Sequence, residues 1–180
     1  PKVVVKSWQE SFITPEVQDR FDIRFNPHDS SILIPHKNIY GDIIGVRKRA
    51  LVDDDIALGK YRPAVVGGEL RNHPLAFNLY GIDMAKDAIQ ESGLAIVAES
   101  EKSVLLYASM YGNENNIAVA LSSMNMSLYQ RDLLLDLDIA EIIFCLDKQY
   151  TLECLETKEG EEYRGFVSYI KKLKKLSSMF

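Results

Sequence analysis

Two short apolar runs in the chain each end at an acidic residue. Residues 96–98 lead into Glu99, and residues 142–146 lead into Asp147. Such runs are typical of strands buried on both faces in a parallel sheet covered by helices. Ligands bind outside the carboxyl ends of these strands, and two carboxylates there suit a hard cation such as Mg²⁺. Turns also favour aspartate, so a single acid would mean little, but two acids at the ends of such runs in one sheet predict a site.

The segments around these acids alternate between strand and helix patterns. Strands are predicted over 94–98, 117–121 and 142–146, and helices over 83–92, 101–110 and 127–136. This alternation predicts parallel strands joined by right-handed crossovers. Ahead of them, residues 21–25, 31–34 and 42–49 predict an antiparallel meander, with its second strand ended by Pro35.

A basic cluster closes the meander and continues past an acidic turn. The candidate nucleic-acid- or nucleotide-binding residues are Arg47, Lys48, Arg49, Lys60, Tyr61 and Arg62. On a strand, Arg47 and Arg49 point to one face and Lys48 to the other. Such cations suit the phosphates of a template or nucleotide, and Tyr61 suits base stacking. A solvated edge strand, with Tyr61 in the core, explains the same pattern equally well.

The two ends of the chain carry weaker signals. Residues 7–19 predict a short helix with Trp8 and Phe12 packed inward, in which Pro15 breaks the helix or starts a second turn of helix. Residues 161–179 predict an amphipathic helix whose lysine-rich end is solvated, and the polar residues 151–160 predict a mobile link.

Composition limits the class of protein. The 180 residues are 47% hydrophobic and 26% charged, enough for one domain or two small lobes. No run could span a bilayer and no signal peptide is recognisable, so a cytoplasmic protein without a membrane partner is expected. The net charge of −5 argues mildly against nucleic acid, although the basic cluster is local. Cys145 and Cys154 make no zinc site or disulfide framework, and Cys145 is expected in the core.

An ordered series of motifs precedes Glu99. It comprises Ile34-Pro35, the Gly41-x-x-x-Gly45 hairpin ending in Arg49, Lys60-Tyr61 and Leu79-Tyr80-Gly81. This order resembles the catalytic core of bacterial-type DNA primases, in which a Toprim domain follows, and most of all the primase-like proteins of phages and mobile elements. The Toprim pattern has a glutamate after its first strand and Asp-x-Asp after its third. Glu99 matches the glutamate and Asp147 the first aspartate.

The resemblance implies an α/β fold, with a Toprim-like parallel sheet flanked by helices and preceded by a small antiparallel β-rich lobe. Residues 1–80 would form the basic β-rich lobe, 81–150 the Toprim-like domain, and 151–180 a linker with a C-terminal amphipathic helix. The implied activity is nucleotidyl transfer in DNA replication. RNA primers would be made on a single-stranded DNA template from ribonucleoside triphosphates, with a replicative helicase as a further partner.

The implied catalytic and metal-binding residues are Glu99 and Asp147, with Mg²⁺ or Mn²⁺ as the cofactor and no zinc in this chain. Ser100 and Ser103 replace a glycine and an aspartate of the Toprim pattern, and Gln149 replaces its second aspartate. Since affinity for such cations depends on the number of carboxylates, a weak metal site is expected, with Glu101 and Gln149 as further candidate ligands.

Two other functions fit parts of the pattern. A degenerate Toprim domain would act as a non-catalytic module that binds nucleic acid or a replisome partner. A Toprim nuclease or topoisomerase piece is disfavoured by the Gly41–Arg49 hairpin and by Lys60-Tyr61, which belong to the primase pattern. No Gly-x-Gly-x-x-Gly follows a predicted strand, and no Gly-x-x-x-x-Gly-Lys-Ser/Thr occurs, so a dinucleotide fold and a helicase motor are excluded.

Overall fold

The computed structural model describes residues 4–148 and 150–180. Within this part of the chain, no helix has both the length and the apolar character that a membrane crossing needs.

Two short helices lie near the start of the described residues, and the second begins at Pro15, where the sequence predicts a break or a new helical turn. α1 spans Lys6–Gln9 and α2 spans Pro15–Arg20. Between them the backbone turns at Phe12, which has a φ of 64° and is 80% exposed, so its predicted inward packing is wrong. Thr14 starts α2 because its hydroxyl accepts a 3.3 Å hydrogen bond from the Val17 amide. Trp8 is buried, as predicted.

Four strands form an antiparallel sheet in chain order: β1 (Arg24–Asn26), β2 (Ser31–Lys37), β3 (Ile43–Ala50) and β4 (Tyr61–Pro63). Between β3 and β4 lies helix α3 (Asp53–Ala57). β2 continues through Pro35, where the sequence predicts its end. β1 pairs only with residues 31–33, so the proline nitrogen, which has no hydrogen to donate, faces no strand on that side.

The connection from β4 to the second sheet is more regular than its composition suggests. It contains a hairpin of β5 (Val65–Val66) and β6 (Glu69–Leu70) and a 3₁₀ turn (Leu75–Phe77). Tyr80 then exchanges backbone hydrogen bonds of 2.9 and 3.0 Å with Ala120 of the second sheet. At Gly81 φ is 82°, and a Cβ would lie 2.9 Å from Val104 Cγ1, so the Leu-Tyr-Gly motif needs its glycine for close helix packing.

The second sheet is parallel and carries the predicted acids. Its elements are α4 (Ile82–Ser92), β7 (Leu94–Ala98), α5 (Glu101–Tyr111), β8 (Ala118–Ala120), α6 (Leu128–Leu135) and β9 (Glu141–Cys145). The strand order is β8-β7-β9, with parallel pairing on both sides of β7. The predicted α/β fold, a parallel sheet flanked by helices and preceded by an antiparallel β-rich lobe, is confirmed.

β9 is less buried than its apolar sequence predicts. Ile142 and Phe144 pack on the core, but Ile143 is 41% exposed and Cys145 is also exposed. Helix α5 lies over β8 and β7, and the face of β9 that carries Ile143 stays open. The expected core position of Cys145 is therefore wrong, because an apolar run does not reveal whether helices cover both faces.

Two apolar cores lie on opposite faces of the parallel sheet. The first joins α2 and the antiparallel sheet to α5, through residues such as Val17, Ile34 and Leu105. The second lies under α4, α6 and the C-terminal helix α8 (Gly160–Ser177), whose Leu176 is buried in it. The predicted mobile link contains helix α7 (Glu153–Thr157). Because the first core takes residues from both sides of residue 80, the domain boundaries stay a prediction.

Candidate active site

The two predicted acids follow the carboxyl ends of neighbouring strands. Ala98 of β7 pairs in register with Cys145 of β9, so Glu99 and Asp147 extend from the same edge of the parallel sheet. Both residues line a cleft of about 120 Å³, with Tyr169 and Lys172 of α8 on the other side. The structure thus brings the two acids together, and their catalytic and metal-binding roles stay predictions.

A lysine from the C-terminal helix enters this cleft. Lys172 Nζ donates a 3.4 Å hydrogen bond to Glu99 Oε2, and both side chains are only 15% exposed. The sequence analysis placed this lysine at a solvated helix end. Its neighbours Leu173 and Leu176 pack on the second core, and this spacing is the signal that Lys172 lies close to the sheet.

Of the other candidate metal ligands, Glu101 pairs with Arg47 and His36 instead of joining the two acids. Gln149 lies outside the described residues. In the ranges 4–148 and 150–180, no group of three histidine, cysteine or acidic side chains could hold a metal ion. Any cation held here by this part of the chain would therefore rest on Glu99 and Asp147.

Glu101 serves a different purpose from the one predicted. Its carboxylate is 1% exposed and accepts hydrogen bonds from Arg47 Nη1 at 2.6 Å and His36 Nε2 at 3.1 Å. Burial raises the pKa of Glu101, but the His36 hydrogen bond and the Arg47 charge outweigh it and lower the pKa to about 2. The ionised carboxylate therefore ties β2 and β3 to the start of α5, and it would have to leave both partners to bind a metal.

His73, to which the sequence analysis assigns no role, packs against this ion-pair cluster. Its ring lies 4.6 Å from the ring of His36. A Cβ at Gly45 would come within 2.2 Å of His73 Nδ1, which explains the second glycine of the hairpin motif. Burial, with the charges of His36 and Arg47, lowers the pKa of His73 to about 4, so its ring is neutral at pH 7.

The predicted basic cluster is divided between two faces of the antiparallel sheet. Arg47 and Arg49 lie on the face of the buried Ile32 and Ile34, and Tyr61 is the register partner of Arg49. The Cζ atoms of Arg47 and Arg49 lie 5.4 and 5.8 Å from the centre of the Tyr61 ring.

Lys48 and Arg62 form a register pair on the opposite face, and Lys48 Nζ donates a 2.7 Å hydrogen bond to Asp29. Of the six predicted binding residues, Lys48 and Arg62 therefore lie on the face away from α5. The guanidinium of Arg47 is paired with the Glu101 carboxylate.

The ionisation of Tyr61 responds to charges of both sets of predicted site residues. Burial raises the pKa of the Tyr61 hydroxyl, the charges of Arg49 and Arg47 lower it, and those of Glu101 and Asp147 raise it. That the basic face and the acidic edge form one site stays a prediction.

Comparison with known proteins places this geometry in a known fold. No family model matches the chain. The SPbeta prophage-derived uncharacterized protein YorJ of Bacillus subtilis is 36% identical over 176 residues, which cover 96% of this chain and 46% of that protein. This relative is consistent with the predicted phage branch.

Solved structures of bacterial primases match most of the chain. The zinc-binding and RNA polymerase domains of the Aquifex aeolicus primase superpose with a TM-score of 0.67 at 19% identity, covering 97% of this chain and 54% of that one. A DnaG primase catalytic domain bound to single-stranded DNA gives a TM-score of 0.58 at 21% identity, covering 78% and 54%. This chain thus spans about half the length of the proteins it matches.

The parallel sheet flanked by helices and the preceding antiparallel sheet agree with the fold of these structures. The predicted resemblance is confirmed: the chain has the fold of the catalytic core of bacterial DNA primases.

Proposed function

We propose that this chain carries the core of a primase-like nucleotidyltransferase, which makes RNA primers on single-stranded DNA. The observation that supports this most is the placement of Glu99 and Asp147 at one edge of a parallel sheet, within a primase-core fold. Open parallel sheets bind their ligands at this edge.

The acidic edge suits a weakly held divalent cation. Mg²⁺ is usually bound by one or two carboxylates, with waters and substrate phosphates completing its shell. Glu99 and Asp147 would be those carboxylates, and a nucleotide would supply the remaining oxygens. The ion, when bound, would neutralise phosphate charge and favour ionisation of the attacking 3′-hydroxyl. Mn²⁺ should serve better than Mg²⁺, because it binds the same ligands more tightly.

The basic face would hold the phosphates. Arg49 and Lys60 are candidates that form no ion pair with an acid in the described part of the chain. Tyr61 lies on the same face and packs against the first core, and the part of its ring that stays exposed would stack a base. The single-stranded DNA bound to one structural neighbour supports a DNA template as the partner. The proposal includes a replicative helicase as a further partner of the chain.

A non-catalytic module that binds nucleic acid is the second candidate. It is favoured by the Lys172–Glu99 ion pair, which already neutralises one of the two acids. In this case the basic face would bind DNA, and the acidic edge would have no role in chemistry.

Primer synthesis separates the two functions. The chain would be incubated with a single-stranded template, labelled ribonucleotides and Mn²⁺. DNA binding would be measured separately by fluorescence anisotropy. We expect weak synthesis that Glu99→Gln and Asp147→Asn abolish, while Glu114→Gln, an exposed loop residue, leaves it intact. Synthesis unchanged in both acid variants would refute the proposal, and DNA binding without any synthesis would favour the binding module.

A further inference from the structure

Two aromatic rings are in contact on the surface at the start of α6. Phe77, from the 3₁₀ turn, is 61% exposed, and Tyr129, from the first turn of α6, is 48% exposed. Their ring centres lie 5.4 Å apart with an interplanar angle of 62°, which is an edge-to-face arrangement. Each ring therefore supports the orientation of the other and keeps part of its own surface open to solvent. We call this pair the aromatic platform.

A buried glutamine holds the backbone beneath the platform. The Gln130 side chain is fully buried, and its Nε2 donates hydrogen bonds of 3.0 and 2.7 Å to the carbonyls of Leu75 and Asn78. Its Oε1 accepts a 3.0 Å hydrogen bond from the Ser127 amide, and the Ser127 hydroxyl donates to the Ala76 carbonyl. These bonds tie the 3₁₀ turn to the start of α6. The two rings are thus preorganised, and a ligand that stacks on them would not have to order them first.

The loop that leads into α6 connects the platform to the predicted site. The carbonyl of Ser122 in this loop accepts a 3.2 Å hydrogen bond from Arg47 Nη1, which comes from the antiparallel sheet. Met124, further along the same loop, lines the cleft at the acidic edge. The five residues from Met124 to Tyr129 span at most about 18 Å. A strand of nucleic acid that occupies the acidic edge could therefore reach the platform within a few nucleotides.

The size of this surface suits a nucleobase better than a protein. An aromatic side chain offers roughly 150–250 Å² of surface, so the exposed parts of Phe77 and Tyr129 together present roughly 200 Å². Even with the exposed parts of Leu128 and Met124, this area falls short of the about 800 Å² that each partner contributes to a specific protein interface. A base needs only one open aromatic surface, and its stacking contributes about 1–3 kcal/mol.

We infer that Phe77 and Tyr129 stack an unpaired base of the single strand that crosses the acidic edge. The inference deepens the proposed function and depends on it for the identity of this strand as a template. Arg131, beside the platform, donates a 2.6 Å hydrogen bond to Asp132, so the adjoining cation is already neutralised. The platform therefore recognises bases and not phosphates. Because the bases of a duplex are covered by their neighbours, it also favours a single strand over a duplex.

Two labelled probes of equal length test the platform by fluorescence anisotropy. One is a mixed-sequence single strand, and the other carries stable abasic sites in place of its bases, so both have the same number of phosphates. We expect Phe77→Ala and Tyr129→Ala each to weaken binding of the first probe by at least about fivefold, with an unchanged salt slope because no cation is lost. Tyr129→Phe, which keeps the ring, should bind as the wild type does. The control is Tyr40→Ala, which removes an exposed ring from the turn between β2 and β3.

Binding of the abasic probe should be weaker than that of the first probe in the wild type and equal in all variants. An equal loss for both probes in Phe77→Ala and Tyr129→Ala would overturn the inference. Unchanged binding of the first probe in these variants would also overturn it and would favour a protein partner for the rings. A wild-type chain that binds neither probe would overturn it as well. If the base-dependent loss occurs in a chain that makes no primers, the platform stands and the proposed function alone fails.

Discussion

Removal of Arg47 should destabilise the fold far more than removal of the lysine beside it. Arg47→Met leaves the Glu101 carboxylate, which is 1% exposed, with His36 as its remaining side-chain partner. The low pKa of Glu101 means that this carboxylate is ionised at pH 7. Breaking a buried ion pair from one side costs about 3–5 kcal/mol. A domain of ordinary stability has only about 5–15 kcal/mol to lose.

Lys48→Met is the matched control, because Lys48 lies next to Arg47 in sequence but on the opposite face of β3. Its pair with Asp29 is 18% and 35% exposed, far more than the Glu101 carboxylate, so the expected loss is smaller than in Arg47→Met. Urea unfolding at pH 7 would measure both losses from the midpoint and slope. The double variant Arg47→Met/Glu101→Gln should recover part of the loss, since it removes the unpaired charge. A loss in Arg47→Met no larger than in Lys48→Met would refute this account of the cluster.

Three further results are expected. The urea midpoint of the wild type should fall as the pH is lowered from 6.5 to about 4, because His73 binds a proton in the unfolded chain but stays neutral in the folded one. His73→Asn should make this fall smaller. Gly81→Ala should lower the melting temperature more than Gly67→Ala; both glycines have positive φ, but only at Gly81 does a Cβ meet a neighbour. Lys172→Met should tighten Mn²⁺ binding about tenfold in a calorimetric titration, because Glu99 loses a competing cation. The expectations would be contradicted, in turn, by the same pH dependence of the urea midpoint in His73→Asn and the wild type, by equal melting temperatures in the two glycine variants, and by an unchanged Mn²⁺ affinity in Lys172→Met.

The elements of the site could be predicted from local sequence patterns. Apolar runs ending in Glu99 and Asp147 identified two strand ends, and the alternation of strands and helices predicted that these ends share one edge. The alternation of Arg47, Lys48 and Arg49 predicted the two faces that the register shows. Each of these inferences needs only the spacing of neighbours along the chain.

The partners of the site residues could not be predicted in the same way. Glu101 accepts from side chains 54 and 65 residues away, and Lys172 reaches Glu99 across 73 residues. Such pairs depend on how α5 and α8 pack against the sheets. The periodic spacing of apolar residues within a segment does not determine this packing. The exposure of β9 was missed for a related reason, since the covering of a strand is set by distant helices.

Titration of the chain with Mn²⁺ tests the central claim most directly, because the signal of free Mn²⁺ in electron paramagnetic resonance reports binding without any need for activity. The claim is that Glu99 and Asp147 together hold one divalent cation. We predict one weak site whose affinity falls at least about tenfold in both Glu99→Gln and Asp147→Asn, and is unchanged in Glu114→Gln. Wild-type affinity in both acid variants would contradict the claim.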